Sequence, residues 1–166
     1  ERIKRGMAHI PEDRQKRGLV LDYSLEYNMV LEVYADEPYS KHGFLQREAI
    51  RTHSEKLIAD FDVRSGQGSS GPARSLSGGN QQKAIVGREV DHDPALLIAV
   101  QPTRGLDVGS IEYIHKRLVD QRDRGKAVLL ISLELDEILD LSDRIAVING
   151  GNLIGLLDAK NTDENE

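Results

Sequence analysis

The chain has 166 residues, 39% hydrophobic and 30% charged, with 22 Lys plus Arg against 28 Asp plus Glu for a net charge of −6. That length predicts one domain with a real core, and the absence of cysteine excludes disulfides, thiolate metal sites and Cys nucleophiles. No run of about 18 apolar residues offers a membrane span, Glu1 to Arg5 lacks the apolar core of a signal peptide, and the acidic balance argues against a general nucleic-acid binder.

In chain order, the beginning is basic (Arg2, Lys4, Arg5, Arg14, Lys16, Arg17), and Met7 to Ile10 is a strand candidate stopped by Pro11. Ser24 is an N-cap for a helix through Tyr34, with Leu25, Met29 and Val33 spaced for one face. Ala35 to Gly43 is a polar link to a stronger helix, Gln46 to Phe61. Its apolar stripe of Ala49, Ile50, Leu57, Ile58 and Phe61 is interrupted by His53. Ser65 to Ala73 is a loop rich in Gly and Ser. A helix follows over Gly78 to Val90, then an apolar run, Ala95 to Val100, of the kind covered on both faces of a parallel sheet. Asp107 caps a helix from Gly109 to Arg124, which Gly125 ends. Ala127 to Ser132 reads as a second buried strand and Glu134 to Leu139 as a short helix. Arg144 to Ile148 and Leu153 to Leu157 flank Asn149-Gly150-Gly151-Asn152 as a hairpin. Strands alternating with helices predict an α/β fold with a mostly parallel sheet and the hairpin at its edge.

Two motif-like patterns are rejected on context. Gly66-Gln67-Gly68-Ser69-Ser70-Gly71 spells G-x-G-x-x-G, but no strand of adequate length precedes it and Pro72-Ala73 follows where a helix should open. The histidines at 9, 42, 53, 92 and 115 show no metal-ligand spacing. Glu12-Asp13, as adjacent carboxylates, read as a solvated turn. The informative segment is Ser75-Leu76-Ser77-Gly78-Gly79-Asn80-Gln81-Gln82-Lys83. It places a capping hydroxyl and two glycines at a helix opening, where free N–H groups and the helix dipole favour an anion. The plainer reading is a glycine-softened N-cap.

What lies downstream selects between them. Gln101-Pro102-Thr103-Arg104-Gly105-Leu106-Asp107 follows the first aliphatic strand, and Ile131-Ser132-Leu133-Glu134-Leu135-Asp136-Glu137 the next. Together the set resembles the nucleotide-binding domain of ABC transporters. Leu76 to Gln82 looks like the signature motif, Ala95 to Thr103 like the Walker B strand and its turn, and Gly105 to Asp107 like the D-loop. Ser132 to Glu137 looks like the switch-histidine region and Pro11-Glu12 like the Q-loop. More narrowly, Pro11-Glu12-Asp13-Arg14 with Leu76 to Lys83 and Pro102 to Val108 resembles the second, C-terminal half of the double-domain ATPase subunits of sugar and nucleoside importers. Val100-Gln101-Pro102-Thr103 looks like the nucleoside-type branch.

The departures from that pattern matter as much. No Walker A motif is present, since Gly125-Lys126 has Asp120 and Ala127 where a glycine and a Ser/Thr belong. The chain is therefore expected to be a piece that begins after that loop. Val100 stands at the Mg²⁺-binding Asp position and offers no oxygen. Gln101 stands where the general base belongs, and losing such a base is worth roughly 10²–10⁴ in rate. Leu133 replaces the switch histidine and Glu12 the Q-loop glutamine.

The resemblance implies a partial ABC-type P-loop NTPase domain with a degenerate site of its own. Residues 1–18 would carry a core strand and the Q-loop-like turn, 19–75 an α-helical subdomain and linker, 76–157 the α/β core, and 158–166 a flexible tail. Ser77, Gly78, Gly79, Asn80, Gln81 and Glu12 would contact ATP. Asp107, with the degenerate Gln101 and Leu133, would occupy catalytic positions, with no metal held by this chain. The signature would complete a site in trans, on the N-terminal nucleotide-binding domain of the same polypeptide or its dimer mate, where ATP and Mg would bind. Membrane permease subunits would be partners, docking near Leu19 to Tyr34, and the subunit would sit on the cytoplasmic face of the membrane. The alternative is a non-catalytic scaffolding domain that keeps the fold; an ABC ATPase of translation or DNA repair is a third possibility, disfavoured by Glu12 and by Gln101 to Arg104.

Overall fold

The computed structural model describes residues 5–161; Arg2, Lys4 and the tail residues 162–166 lie outside the described part. Strand β1 (Met7–Ile10) leads into a wide helical turn over Arg14–Gly18, which Asp13 caps by accepting the N–H groups of Gln15 and Lys16. Helix α1 (Leu25–Met29) begins at Ser24 but is much shorter than expected. Its early end follows from Asn28. That buried side chain folds back onto Val20 and the Ser24 carbonyl, and the Asn28 carbonyl accepts from Arg88 Nη1 at 3.4 Å. Side-chain bonds of this kind compete with the helix ladder, and the chain continues to Asp36 in tight turns.

A small hairpin not foreseen from the sequence, β2 (Ser40–Lys41) with β3 (Phe44–Leu45), precedes α2 (Arg47–Asp60). In the Gly/Ser loop after it, the Ser69 and Gly71 carbonyls accept the N–H groups of Glu26 and Leu25 at the start of α1. Then come α3 (Gly78–Asp91), β4 (Leu96–Val100), α4 (Val108–Asp123), β5 (Ala127–Ile131), α5 (Leu135–Leu141), β6 (Arg144–Asn149) and β7 (Asn152–Asp158).

Strands β1, β4 and β5 form a parallel sheet in the order β1-β4-β5. Helix α3 lies at the centre of the molecule, packed on β1, α1, α2 and α4. Its Ala84, Ile85 and Val86 join Ile10, Leu97, Ala99 and Ile114 in the core.

Two expectations about strands are corrected. The β6–β7 hairpin pairs with itself and is not hydrogen-bonded to the parallel sheet among the described residues. Strand β5, expected to be buried, leaves Leu129 48% and Ile131 46% exposed. Among the described residues its hydrogen-bonded neighbour lies on one side only, whereas β4 is flanked by β1 and β5 and buries Leu97 and Ala99 completely. At the chain's end, Asp158 closes β7 and Ala159–Asn161 form a short helical turn.

Candidate functional site

The three loops that leave the C-terminal ends of the parallel strands begin at Pro11, Gln101 and Ser132, the position where open α/β sheets place ligands. The start of α3 is brought beside two of them. Ser77 is its N-cap; the Ser77 hydroxyl accepts Asn80 N–H at 3.4 Å and Asn80 Nδ2 at 2.9 Å. Asn80 Oδ1 in turn accepts the N–H of Arg64 at 2.7 Å. Helix geometry leaves the N–H groups of Gly78 and Gly79 with no carbonyl in their own helix, so an anion is favoured there.

The signature-like segment and the D-loop-like turn are packed together. Asp107 caps α4 by accepting Ser110 N–H at 3.0 Å and Ser110 Oγ–H at 2.7 Å. These bonds, the hydroxyl's first, hold the Asp107 carboxyl below the usual range. The cap is therefore present at neutral pH and lost only as pH falls through that lowered value. A Cβ on Gly79 would overlap Ser110 Oγ and lie 3.2 Å from Ser110 Cβ. Close backbone approach is why glycine is needed here. Gly79→Ala is expected to cost about 1–3 kcal/mol through overpacking, measured by chemical denaturation of the full-length protein. Ser110→Ala in the same chain should recover at least half, and a harmless Gly79→Ala would contradict the packing.

The Q-loop-like turn joins the same assembly. Arg14 Nη1 donates to the Arg104 carbonyl at 2.8 Å, while a Cβ on Gly78 would stand 3.0 Å from Arg14 Nη2. Glu12 pairs with the Arg104 guanidinium. These groups line an open cleft of about 290 Å³ with Asp13, Gln15 and Gly105. Gln81 is buried and spends its amide on the Ala73 carbonyl and Gln15. Lys83 pairs with Asp62 at 2.8 Å and stacks over Tyr113, which turns its charge away from the helix start.

The other expected positions lie at the ends of β4 and β5. Gln101 has φ +48°, a left-handed conformation rare for a non-glycine residue, and its N–H donates to the Ile131 carbonyl at 2.8 Å. Leu133 is 88% exposed. Val100 presents no oxygen at the end of β4, and among the described residues no cluster of His, Asp or Glu is arranged to hold a metal ion. The residues present thus fit an anion at the α3 N-terminus.

Sequence reasoning named Arg14 and Arg104 only as members of motif-like segments, without the contacts they make here, and missed Ser110 altogether. Only Ser110 carried a local signal, three residues after the Asp107 cap.

No family model matches the chain. It is 55% identical over 163 residues to the nucleoside import ATP-binding protein NupA of Lactococcus lactis subsp. cremoris, a match covering 98% of this chain and 32% of that protein. It is 54% identical over 161 residues to the guanosine import ATP-binding protein NupO of Bacillus subtilis, covering 97% of this chain and 31% of that protein. Over 156 residues it is 40% identical to the ribose import ATP-binding protein RbsA 2 of Rubrobacter xylanophilus, covering 93% and 29%. The chain spans about a third of the length of these relatives. Among solved structures it is similar to a dimeric ATP-binding cassette in a post-hydrolysis state bound to ADP and Pi. The TM-score is 0.72 at 19% identity, over 92% of this chain and 62% of that one. A nucleotide-free ATP-binding cassette of an ABC transporter gives a TM-score of 0.71 at 19% identity, over 95% and 62%. Over nearly its whole length the chain is thus similar to one segment of the ATP-binding proteins of nucleoside and sugar import, and its fold is that of the ATP-binding cassettes.

Proposed function

We propose that this chain is the C-terminal nucleotide-binding domain of a double-domain ATP-binding subunit that drives import of nucleosides, with simple sugars as the second candidate solute class. Its Ser77, Gly78 and Gly79 contribute to ATP hydrolysis at a site on the N-terminal domain of the same polypeptide or on a dimer mate. One observation supports this reading: the exposed, Ser77-capped start of α3 packs against Asp107 and Ser110 at Gly79, so the signature-like and D-loop-like segments lie side by side. In that role the Gly78 and Gly79 N–H groups hold terminal phosphate oxygens, Ser77 keeps the helix start ordered, and Asp107 fixes the turn beside it. ATP bound on the partner domain would supply the phosphoryl group, and Mg²⁺ would be held at that partner site.

Permease subunits dock near Leu19 to Tyr34, where Val20, Tyr23 and Tyr34 are exposed. The subunit is thereby held at the cytoplasmic face of the membrane. The names of the relatives support the solute class, and the aliphatic Val100 and the exposed Leu133 support a degenerate site on this half.

The test is ATP hydrolysis and import by the full-length polypeptide assembled with its permease. Gln101→Ala should leave both within about twofold, because an amide cannot take the proton a base must accept. Loss of turnover in that variant would overturn the asymmetry. The degenerate positions also favour a second reading for the isolated chain, a scaffolding domain without nucleotide binding. Calorimetry of the chain with Mg-ATP decides that point, and micromolar binding would refute it.

A further inference from the structure

Apart from the surface just described, the molecule contains a buried carboxylate that no proposed step uses. Glu137, in the first turn of α5, is 5% exposed. Its Oε1 accepts the Thr103 hydroxyl at 2.8 Å and lies 2.8 Å from His115 Nε2, while its enclosed Oε2 has no hydrogen-bond partner among the described residues. Burying a carboxylate is costly unless its bonds hold something in place. Here a single oxygen gathers three separate segments. Thr103 belongs to the turn after β4, His115 to the second turn of α4, and Glu137 to the helix that follows the Leu133 loop.

The turn from Gln101 to Asp107 is thereby held at both ends. Thr103 is tied directly, and Asp107, as the cap of α4, moves with the helix that His115 anchors. A further tie comes from Gln82 Nε2, which donates to the Pro102 carbonyl at 2.7 Å and so links the turn to the signature helix α3. The segment contains a non-glycine residue at positive φ, Gln101, a conformation that persists only where surrounding contacts enforce it.

We propose that Glu137 is a positioning residue for ATP turnover: through Thr103 and His115 it sets the turn that presents Asp107 beside the signature segment. The proposal rests on the trans-site reading above. Because the nucleotide is held on the other domain, misplacing this turn slows turnover and leaves ATP affinity alone.

The experiment measures kcat and KM for ATP in the full-length importer complex carrying Thr103→Val, Thr103→Ser or Glu137→Ala. Thr103→Val keeps the shape and removes the donor; kcat should fall about tenfold at unchanged KM, in line with the loss of one hydrogen bond to a charged group. Thr103→Ser, which restores the hydroxyl, should recover most of that loss. Glu137→Ala should reproduce the Thr103→Val effect or exceed it. Wild-type kcat in Thr103→Val overturns the proposal, as does a rise in KM that accounts for the whole loss, or failure of the serine variant to recover. Ser77→Arg in parallel separates the two levels. If it is inactive while Thr103→Val is normal, only the role of Glu137 fails; if it is active, the trans-site reading fails first.

Discussion

Ser77→Arg in the full-length protein should lower ATP turnover at least about 10²-fold, the scale of removing preorganised N–H donors from a developing phosphoryl charge. The start of α3 is already crowded on one side, with Arg14 against Gly78 and Ser110 against Gly79. A long side chain at 77 has only the open mouth to occupy, which is where phosphate oxygens must approach. The variant also loses the hydroxyl that accepts from Asn80, a cap worth about 1 kcal/mol. Ser77→Ala separates the contributions. It removes the cap and leaves the mouth open, so turnover should fall less than about tenfold by the same cap energy. Steady-state hydrolysis and solute uptake on both variants check this. Full activity in Ser77→Arg would mean that this surface does not complete a nucleotide site.

Arg88→Met should destabilise the full-length protein by about 3–5 kcal/mol, the usual cost of breaking one side of a buried ion pair. Arg88 and Glu89 are neighbours on α3, both nearly inaccessible, with Glu89 1% exposed. Arg88 Nε and Nη2 donate to Glu89 Oε1 at 3.0 and 2.8 Å, and Glu89 Oε2 accepts the His9 N–H from β1. The pair therefore ties α3 to the sheet, while Arg88 Nη1 reaches the end of α1. Removing the cation leaves Glu89 facing Glu32, whose carboxyl is already pushed up by burial and then by the Glu89 charge, with Arg88 acting against both. Arg88→Met/Glu89→Met should regain more than half the loss, because two apolar side chains need no counter-charge. Chemical denaturation of single and double variants measures it. A single variant as stable as the wild type would show that the pair does not fasten α3.

The helix starts were legible from sequence because a cap is a local event. Ser77 and Asn80, or Asp107 and Ser110, meet within one turn whatever surrounds them. The mostly parallel character of the sheet was also legible, from aliphatic runs alternating with helices, but not that β1 pairs with β4. The end of α1 was not. Leu25, Met29 and Val33 have helical spacing, but the competing hydrogen bonds of Asn28 depend on Val20 and on Arg88, sixty residues away in the sequence. Strand β5 misled for a different reason. An aliphatic run shows that a strand can be covered on both faces, and only the arrangement of its neighbours decides whether it is.

By itself the sequence determined the order of the motif-like segments, the capped anion-favouring helix start, and that Val100, Gln101 and Leu133 carry neither carboxylate nor imidazole, since each is a matter of residue type and short spacing. Tertiary structure alone decided that Arg14 lies over Gly78, that Glu12 holds Arg104, and that Thr103 and His115 share one oxygen of Glu137. The Glu12 and Arg104 side chains are 92 residues apart in the chain and those of Thr103 and Glu137 34 apart. No local periodicity encodes such meetings; they arise when the parallel sheet brings the loops at its C-terminal ends to one edge beside the start of α3.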